Sequence, residues 1–139
     1  MKFICKPHLK DLEEIVEIDT KVIGNASRLE YIKNAIVEER CIVAKTENRI
    51  VGFLIFNTHF YDYSFISLII IEPPYRRKGC ASSLLNHFVN ISSTSKIFSS
   101  TNQSNQSMQE VFNANGFIKS GIIENLDEGD PEIVYFKSK

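Results

Sequence analysis

Apolar positions along the chain change period several times, and each change marks an element. Residues 3–5 form a short apolar start that reads as an edge strand, ended by Pro7. Leu9, Leu12, Ile15 and Val16 then fall on one face of a helix, while Glu13, Glu14 and Glu17 face water. The stretch "VIGNAS" (residues 22–27) reads as a turn, with Asn25 or Ser27 as the N-cap of the next helix. Leu29, Ile32 and Ile36 carry that second helix, which ends near Glu39.

Beyond residue 40 the helical period gives way to short continuous apolar runs. "CIVAK" (41–45) predicts a strand, "TENR" a hairpin turn, and "IVGFLIF" (50–56) and "FISLIII" (65–71) two more strands. Strands apolar on both faces are covered on both faces, which places them mid-sheet. Pro73 and Pro74 stop the third of these. Leu84, Leu85, Phe88 and Val89 restore a helical face that "SSTS" interrupts, and "KIFSS" is a further short strand. The polar run "TNQSNQS" reads as a loop leading into a helix through Met108, Val111 and Phe112, with Gly116 as its left-handed stop. "FIKSGII" and "EIVYFK" are two closing strands joined by the acidic turn "ENLDEGDP". The order is β-α-α-β-β-β-α-β-α-β-β, a mixed sheet with helices on both faces.

Length and charge narrow the function. At 139 residues the chain suits one compact domain, residues 1–139, with neither linker nor internal repeat. Sixteen Lys and Arg stand against 17 Asp and Glu, so nothing general draws the chain to nucleic acid or anionic membrane. The N-terminus carries early acidic residues and only short apolar runs, unlike a signal peptide. Residues 65–71 are far too few to span a bilayer. Cys5, Cys41 and Cys80 are widely spaced and odd in number, matching neither a disulfide framework nor a zinc site. A reducing cytoplasm is the expected location.

One cluster departs from this neutral background. "YRRKGCASSLL" (75–85) sets Arg76, Arg77 and Lys78 beside Gly79 where a buried strand passes into a helix. A helix start has unpaired amides and partial positive charge, and both favour a phosphate. Glycine lets an anion approach the main chain without a Cβ in the way. A solvated basic turn is the competing reading of the same residues. The stretch is not a Walker A loop, and it lacks the glycine triplet of a dinucleotide fingerprint.

"PPYRRKGCASSLL" resembles the acetyl-CoA signature of the GNAT superfamily of N-acetyltransferases, with Arg76, Gly79 and Ala81 at its defining positions. "LIIIEPPY" is similar to the family's central strand, and "NQSMQEVFNANGF" (105–117) to its Asn-to-Gly-Phe segment. The resemblance covers nearly the whole chain. It implies an α/β (α+β) fold with a mixed, mostly antiparallel central sheet. It also implies direct transfer of an acetyl group from acetyl-CoA to a primary amine of a small molecule or peptide. By position, main-chain groups of Ile69 and Ile71 would pair with the pantetheine arm as an added strand would. Arg76, Arg77, Lys78, Gly79, Cys80, Ala81 and Ser82 would surround the pyrophosphate, held mainly by amides. Asn105 and Phe112 would meet the cofactor from the later helix, and no metal is implied.

The family's usual catalytic groups are replaced. Phe112 stands where many members carry an acidic Tyr, and about Phe65 stands where some carry a Glu base. Transfer then rests on proximity, with the amide near Ile71 polarising the carbonyl. Substitute candidates lie in "NTHFYDYS": His59 and Tyr63, with Tyr61 and Asp62 beside them at the turn between two central strands. His8 follows Pro7 in a turn, and His87 sits on a helix facing solvent. Cys80 reads as a small residue facing the phosphates. Glu124, Asp127, Glu128, Asp130 and Glu132 either draw a cationic amine or keep a hairpin soluble. The alternatives to a transferase are a CoA or acyl-CoA sensor without turnover, or a nucleotide-binding protein built on the Gly79 turn. Monomer and homodimer are both open, since an exposed closing strand can support pairing.

Overall fold

The computed structural model describes residues 2–139. Its strands are β1 (Lys2–Cys5), β2 (Cys41–Thr46), β3 (Arg49–Phe60), β4 (Tyr63–Ile71), β5 (Lys96–Asn102), β6 (Ile118–Ile123) and β7 (Glu132–Ser138). The helices are α1 (Leu12–Ile23), α2 (Leu29–Val37), α3 (Cys80–Ile91) and α4 (Gln106–Ala114). The element order matches the sequence reading throughout. The strands form one sheet in the order β1-β2-β3-β4-β5-β7-β6; β1–β2, β2–β3, β5–β7 and β6–β7 pair antiparallel, and β4–β5 pair parallel. The described residues divide into two compact units: the chain up to Phe56 with Leu68–His87, and Asn57–Ser67 with Phe88–Lys139.

In the first unit the apolar stripes of α1 and α2 cover the apolar face of β2 and β3. Ile15, Ile18, Ile32, Ala35 and Ile36 bury themselves against Cys41, Val43, Ile50, Phe53 and Ile55. Burial of this kind contributes about 1.5–3 kcal/mol per large aliphatic side chain. Leu68 and Ile70 of β4 pack on the same cluster. Glu47 and Asn48 both take positive φ (52° and 64°), the two-residue turn whose twist matches its flanking strands. At Gly52 the sheet leaves no room for a side chain: an added Cβ would lie 2.6 Å from Ile71 Cδ1 and 3.0 Å from the Ile70 carbonyl oxygen.

Several boundaries differ from the sequence reading. The first helix is preceded by a short 3-10 turn, Leu9–Asp11, and continues to Ile23. Neither Asn25 nor Ser27 caps α2. The N-cap is Arg28, while Asn25 Oδ1 accepts from the Ser27 amide at 3.0 Å and closes a local turn. Arg28 instead reaches back to α1, where its Nε and Nη2 donate to the two oxygens of buried Asp19 at 3.0 and 2.6 Å. The β3–β4 turn is only Tyr61–Asp62, again with positive φ at both residues (52° and 69°). His59 therefore lies within strand β3 and not in a turn. Thr101 and Asn102 extend β5, and His87 is half-buried, not solvent-facing.

The second unit is a ladder of β5, β7 and β6 with α4 beside it. Phe112 of α4 packs on Phe117 (centroids 5.3 Å) and Tyr135 (4.7 Å). Phe60, Phe65, Phe98 and Phe136 form a separate aromatic row, linked by centroid distances of 4.9, 5.0 and 5.3 Å. Gly116 ends α4 at φ +82°, as its place in the sequence requires. The outermost strand, β6, is exposed along its whole length, with a register shift between Lys119 and Gly121.

Candidate functional site

The basic cluster sits at a sharp junction between strand and helix. β4 ends at Ile71, and Pro73–Tyr75 make one 3-10 turn. Arg76 returns to extended backbone, while Arg77 and Gly79 take positive φ of 61° and 82°. The α3 helix then begins at Cys80, and the Ser83 amide donates to the Gly79 carbonyl at 3.0 Å. A left-handed residue near a helix start turns successive amides toward one side, the geometry that cradles anions. Gly79 adopts that conformation without strain, and it is exposed with no Cβ between its backbone and solvent. Arg76, Arg77 and Lys78 are exposed around it. The Arg76 Nε folds back to donate to the Ile71 carbonyl at 3.2 Å. The residues at this turn therefore fit a diphosphate.

Ile69 and Ile71 are half-buried on β4. Parallel pairing with β5 runs from Ser64↔Ile97 to Ile66↔Ser99, while β4 itself continues to Ile71. Cys80 is buried at 5% exposure, so little of it is open to solvent at the turn, where the sequence reading has it facing the phosphates.

Asn105 and Phe112 belong to the second unit. The Asn105 side chain caps α4, accepting from the Met108 amide at 3.1 Å. Phe112 is 1% exposed and enclosed by aromatic rings. Its neighbour Tyr135 is fully buried with a hydroxyl that has no hydrogen-bond partner, and burial pushes its pKa up. Phe65 stacks on Phe60. His59 is exposed, and its amide donates to Asn57 Oδ1 at 2.9 Å. Tyr63 opens β4 half-buried, its ring 5.3 Å from Lys96 Nζ. The structure gathers no acid–base pair from these candidates.

Much of the acidic run has structural work. Asp130 accepts from both the amide and the hydroxyl of Ser104, at 3.0 and 2.6 Å. Asp127 accepts from Asn102 Nδ2 at 2.8 Å, and Glu132 from Ser100 Oγ at 2.7 Å. These bonds tie the hairpin to β5 and the start of α4. His8 lines a cavity of about 240 Å³ with Lys6, Leu9, Val37 and Glu39, formed by other elements than the basic turn.

Sequence reasoning missed Glu72. This residue follows β4 and is only 3% exposed. Its Oε1 accepts from Arg49 Nη2 and lies 3.8 Å from Lys21 Nζ, while its Oε2 has no hydrogen-bond partner. That bond and the carboxylate charge raise the Arg49 pKa above its ordinary value. The available signal was a lone acid ending the apolar run "LIIIE", because a buried carboxylate demands a cation.

Residues 9–117 match the model of the acetyltransferase (GNAT) family. The crystal structure of a GNAT-family acetyltransferase from Bacillus cereus is 58% identical with a TM-score of 0.98, covering 100% of this chain and 98% of that one. Ard1 from Thermoplasma volcanium superposes with a TM-score of 0.86 at 16% identity, covering 99% and 97% of the two chains. The ribosomal-protein-S18-alanine N-acetyltransferase from Escherichia coli gives 0.84 at 17% identity, covering 99% and 94%. At those two identities the likeness is one of fold alone. No curated protein matches the chain.

Proposed function

The chain belongs to the acetyltransferase (GNAT) family, and from that premise we propose that it is an acetyl-CoA-dependent N-acetyltransferase acting on a primary amine. The whole chain is one catalytic domain in this reading, and the amine belongs to a small molecule or a peptide. The observation that carries the proposal is the turn from Arg77 to Cys80, where two left-handed residues lead into a twelve-residue helix. Amides along residues 77–82 hold the pyrophosphate, with Arg76, Arg77 and Lys78 supplying charge around it. Main-chain groups of Ile69 and Ile71 receive the pantetheine arm, a role favoured by the early end of the β4–β5 ladder.

Bound acetyl-CoA supplies an activated thioester. The chain's share is to hold it beside the amine, exclude water and polarise the carbonyl through the amide near Ile71. Neither Phe65 nor Phe112 has a proton to exchange, so the amine's own equilibrium and solvent carry the proton. In this reading the enzyme works in the cytoplasm on a soluble acceptor, as monomer or homodimer. No helix among the described residues is long and apolar enough to cross a membrane.

The two inert phenylalanines also favour a second reading, a CoA-binding sensor without turnover. Release of free thiol from acetyl-CoA, followed across a panel of small amines, polyamines and peptide N-termini, separates the two. An amine-dependent release supports the transferase; binding of acetyl-CoA with no release across the panel supports the sensor.

A further inference from the structure

A chain of contacts runs from the buried Glu72 carboxylate to the basic turn. Glu72 begins the segment that leaves β4, and its amide is fixed to the sheet by a 2.8 Å bond to the Val51 carbonyl. Its carboxylate grips Arg49, the first residue of β3. The Arg49 guanidinium lies 5.7 Å from the centre of the Tyr75 ring. Lys78, the cation next to Gly79, lies 5.6 Å from the centre of the same ring. The Tyr75 amide closes the loop by donating to the Glu72 carbonyl at 2.8 Å.

Two cations near one aromatic ring repel each other unless an anion compensates. Glu72 is that anion: its carboxylate is buried and fixed, while the Arg49 and Lys21 side chains it holds are about half open to water. The ring holds Lys78 by the attraction between a cation and a π face. Lys21 at the end of α1 is a second cation on the same carboxylate, so Glu72 links α1, β3 and the turn.

We infer that Glu72 is a positioning residue for the anion-binding turn: through Arg49 and Tyr75 it fixes the backbone that presents the Gly79 amides. The inference rests on the acetyl-CoA reading above only for the identity of the anion. Fixing the turn before the ligand arrives removes an ordering cost that binding would otherwise bear. An unfixed turn leaves the helix in place but lets the left-handed residues relax.

The test compares Glu72→Gln, Tyr75→Leu and Tyr75→Phe with Asp19→Asn, which disrupts a buried ion pair elsewhere in the same unit. Two readouts are taken on the full chain: the dissociation constant for acetyl-CoA, and amide hydrogen exchange of residues 77–82 without ligand. Glu72→Gln and Tyr75→Leu are expected to weaken acetyl-CoA about tenfold and to quicken exchange in the turn, with KM for acetyl-CoA rising and kcat nearly unchanged. Tyr75→Phe keeps the ring but loses the hydroxyl that also engages Arg49, so both readouts are expected to fall between those of Tyr75→Leu and the unmodified chain. Asp19→Asn is expected to lower thermal stability and leave the turn alone. Unchanged exchange at residues 77–82 in both Glu72→Gln and Tyr75→Leu overturns the inference, as does equal quickening in Asp19→Asn. Should the unmodified protein fail to bind acetyl-CoA, the ligand reading falls, while quickened exchange confined to the Glu72 and Tyr75→Leu variants still upholds the positioning role.

Discussion

The Phe112 ring lies against the Tyr135 ring with centroids 4.7 Å apart and planes 23° apart. The stack joins α4 to β7 and leaves the Tyr135 hydroxyl buried without a partner. Phe112→Ala should cost about 3–5 kcal/mol, because it opens a cavity among rings that cannot collapse into it. Tyr135→Phe should raise stability by about 1 kcal/mol, since it deletes a polar atom whose desolvation nothing offsets. Urea titration of the two variants measures both. A marked loss in Tyr135→Phe would mean that the hydroxyl has a partner in solution.

Stability should fall at alkaline pH through Cys41. Burial pushes this thiol up from 9.0 to about 12, against a smaller opposing effect of the Arg40 charge. A group whose pKa is raised by folding gives its full stability below the unfolded value and loses it as pH climbs toward the folded one. The decline should therefore begin near pH 9 and approach about 1.4 kcal/mol per pH unit from this one site. Tyr135 adds to it in the same direction from about pH 10. Unfolding free energies at pH 8, 9 and 10 should show a shallower decline in Cys41→Ala than in the unmodified chain. Identical slopes would contradict the assignment.

Much of this fold was legible because its signals are local. Leu84, Leu85 and Phe88 recur at helical spacing and are all buried. Gly116 has the positive φ that its place after a helix demanded. The failures come from two sources. Polar residues at 57–59 resemble a turn, yet they continue β3, and the actual turn is two residues without glycine. Long-range partners leave no periodic trace: Glu72 and Arg49 are 23 positions apart, and Arg28 finds Asp19 on the preceding helix rather than giving way to a cap at Asn25 or Ser27. Of the candidate site, the strand, the turn and the helix start could be read directly. The carboxylate beneath them could not, because its meaning depends on which cation the fold brings to it.

Ligand specificity should appear as selective thermal protection. Acetyl-CoA at about 100 times its dissociation constant should add about 2.7 kcal/mol to stability, and ATP at the same concentration much less. Gly79→Glu should abolish the acetyl-CoA shift, because a carboxylate would take the anion's place and repel it. Gly79→Ala separates charge from conformation: it strains φ +82° by about 1–2 kcal/mol and should weaken binding without ending it. Stronger protection by ATP than by acetyl-CoA would favour the nucleotide reading.

Gly52 offers a test of how tightly β3 and β4 approach. Gly52→Ala should destabilise by about 1–3 kcal/mol, since its Cβ meets Ile71 Cδ1 and the Ile70 carbonyl oxygen. Adding Ile71→Val removes the nearer atom and should recover part of the loss. No recovery would mean that the backbone oxygen, not the side chain, sets the limit.

The register shift in β6 has a consequence for life at high concentration. A straight outer strand invites a neighbouring molecule to extend the sheet, and repeated extension ends in fibres. Here the pairing of β6 with β7 shifts between Lys119 and Gly121, an irregularity that bends the outer strand and makes it a poorer template for a foreign one. Such an irregularity works against open-ended lateral growth along a rim whose isoleucines are exposed.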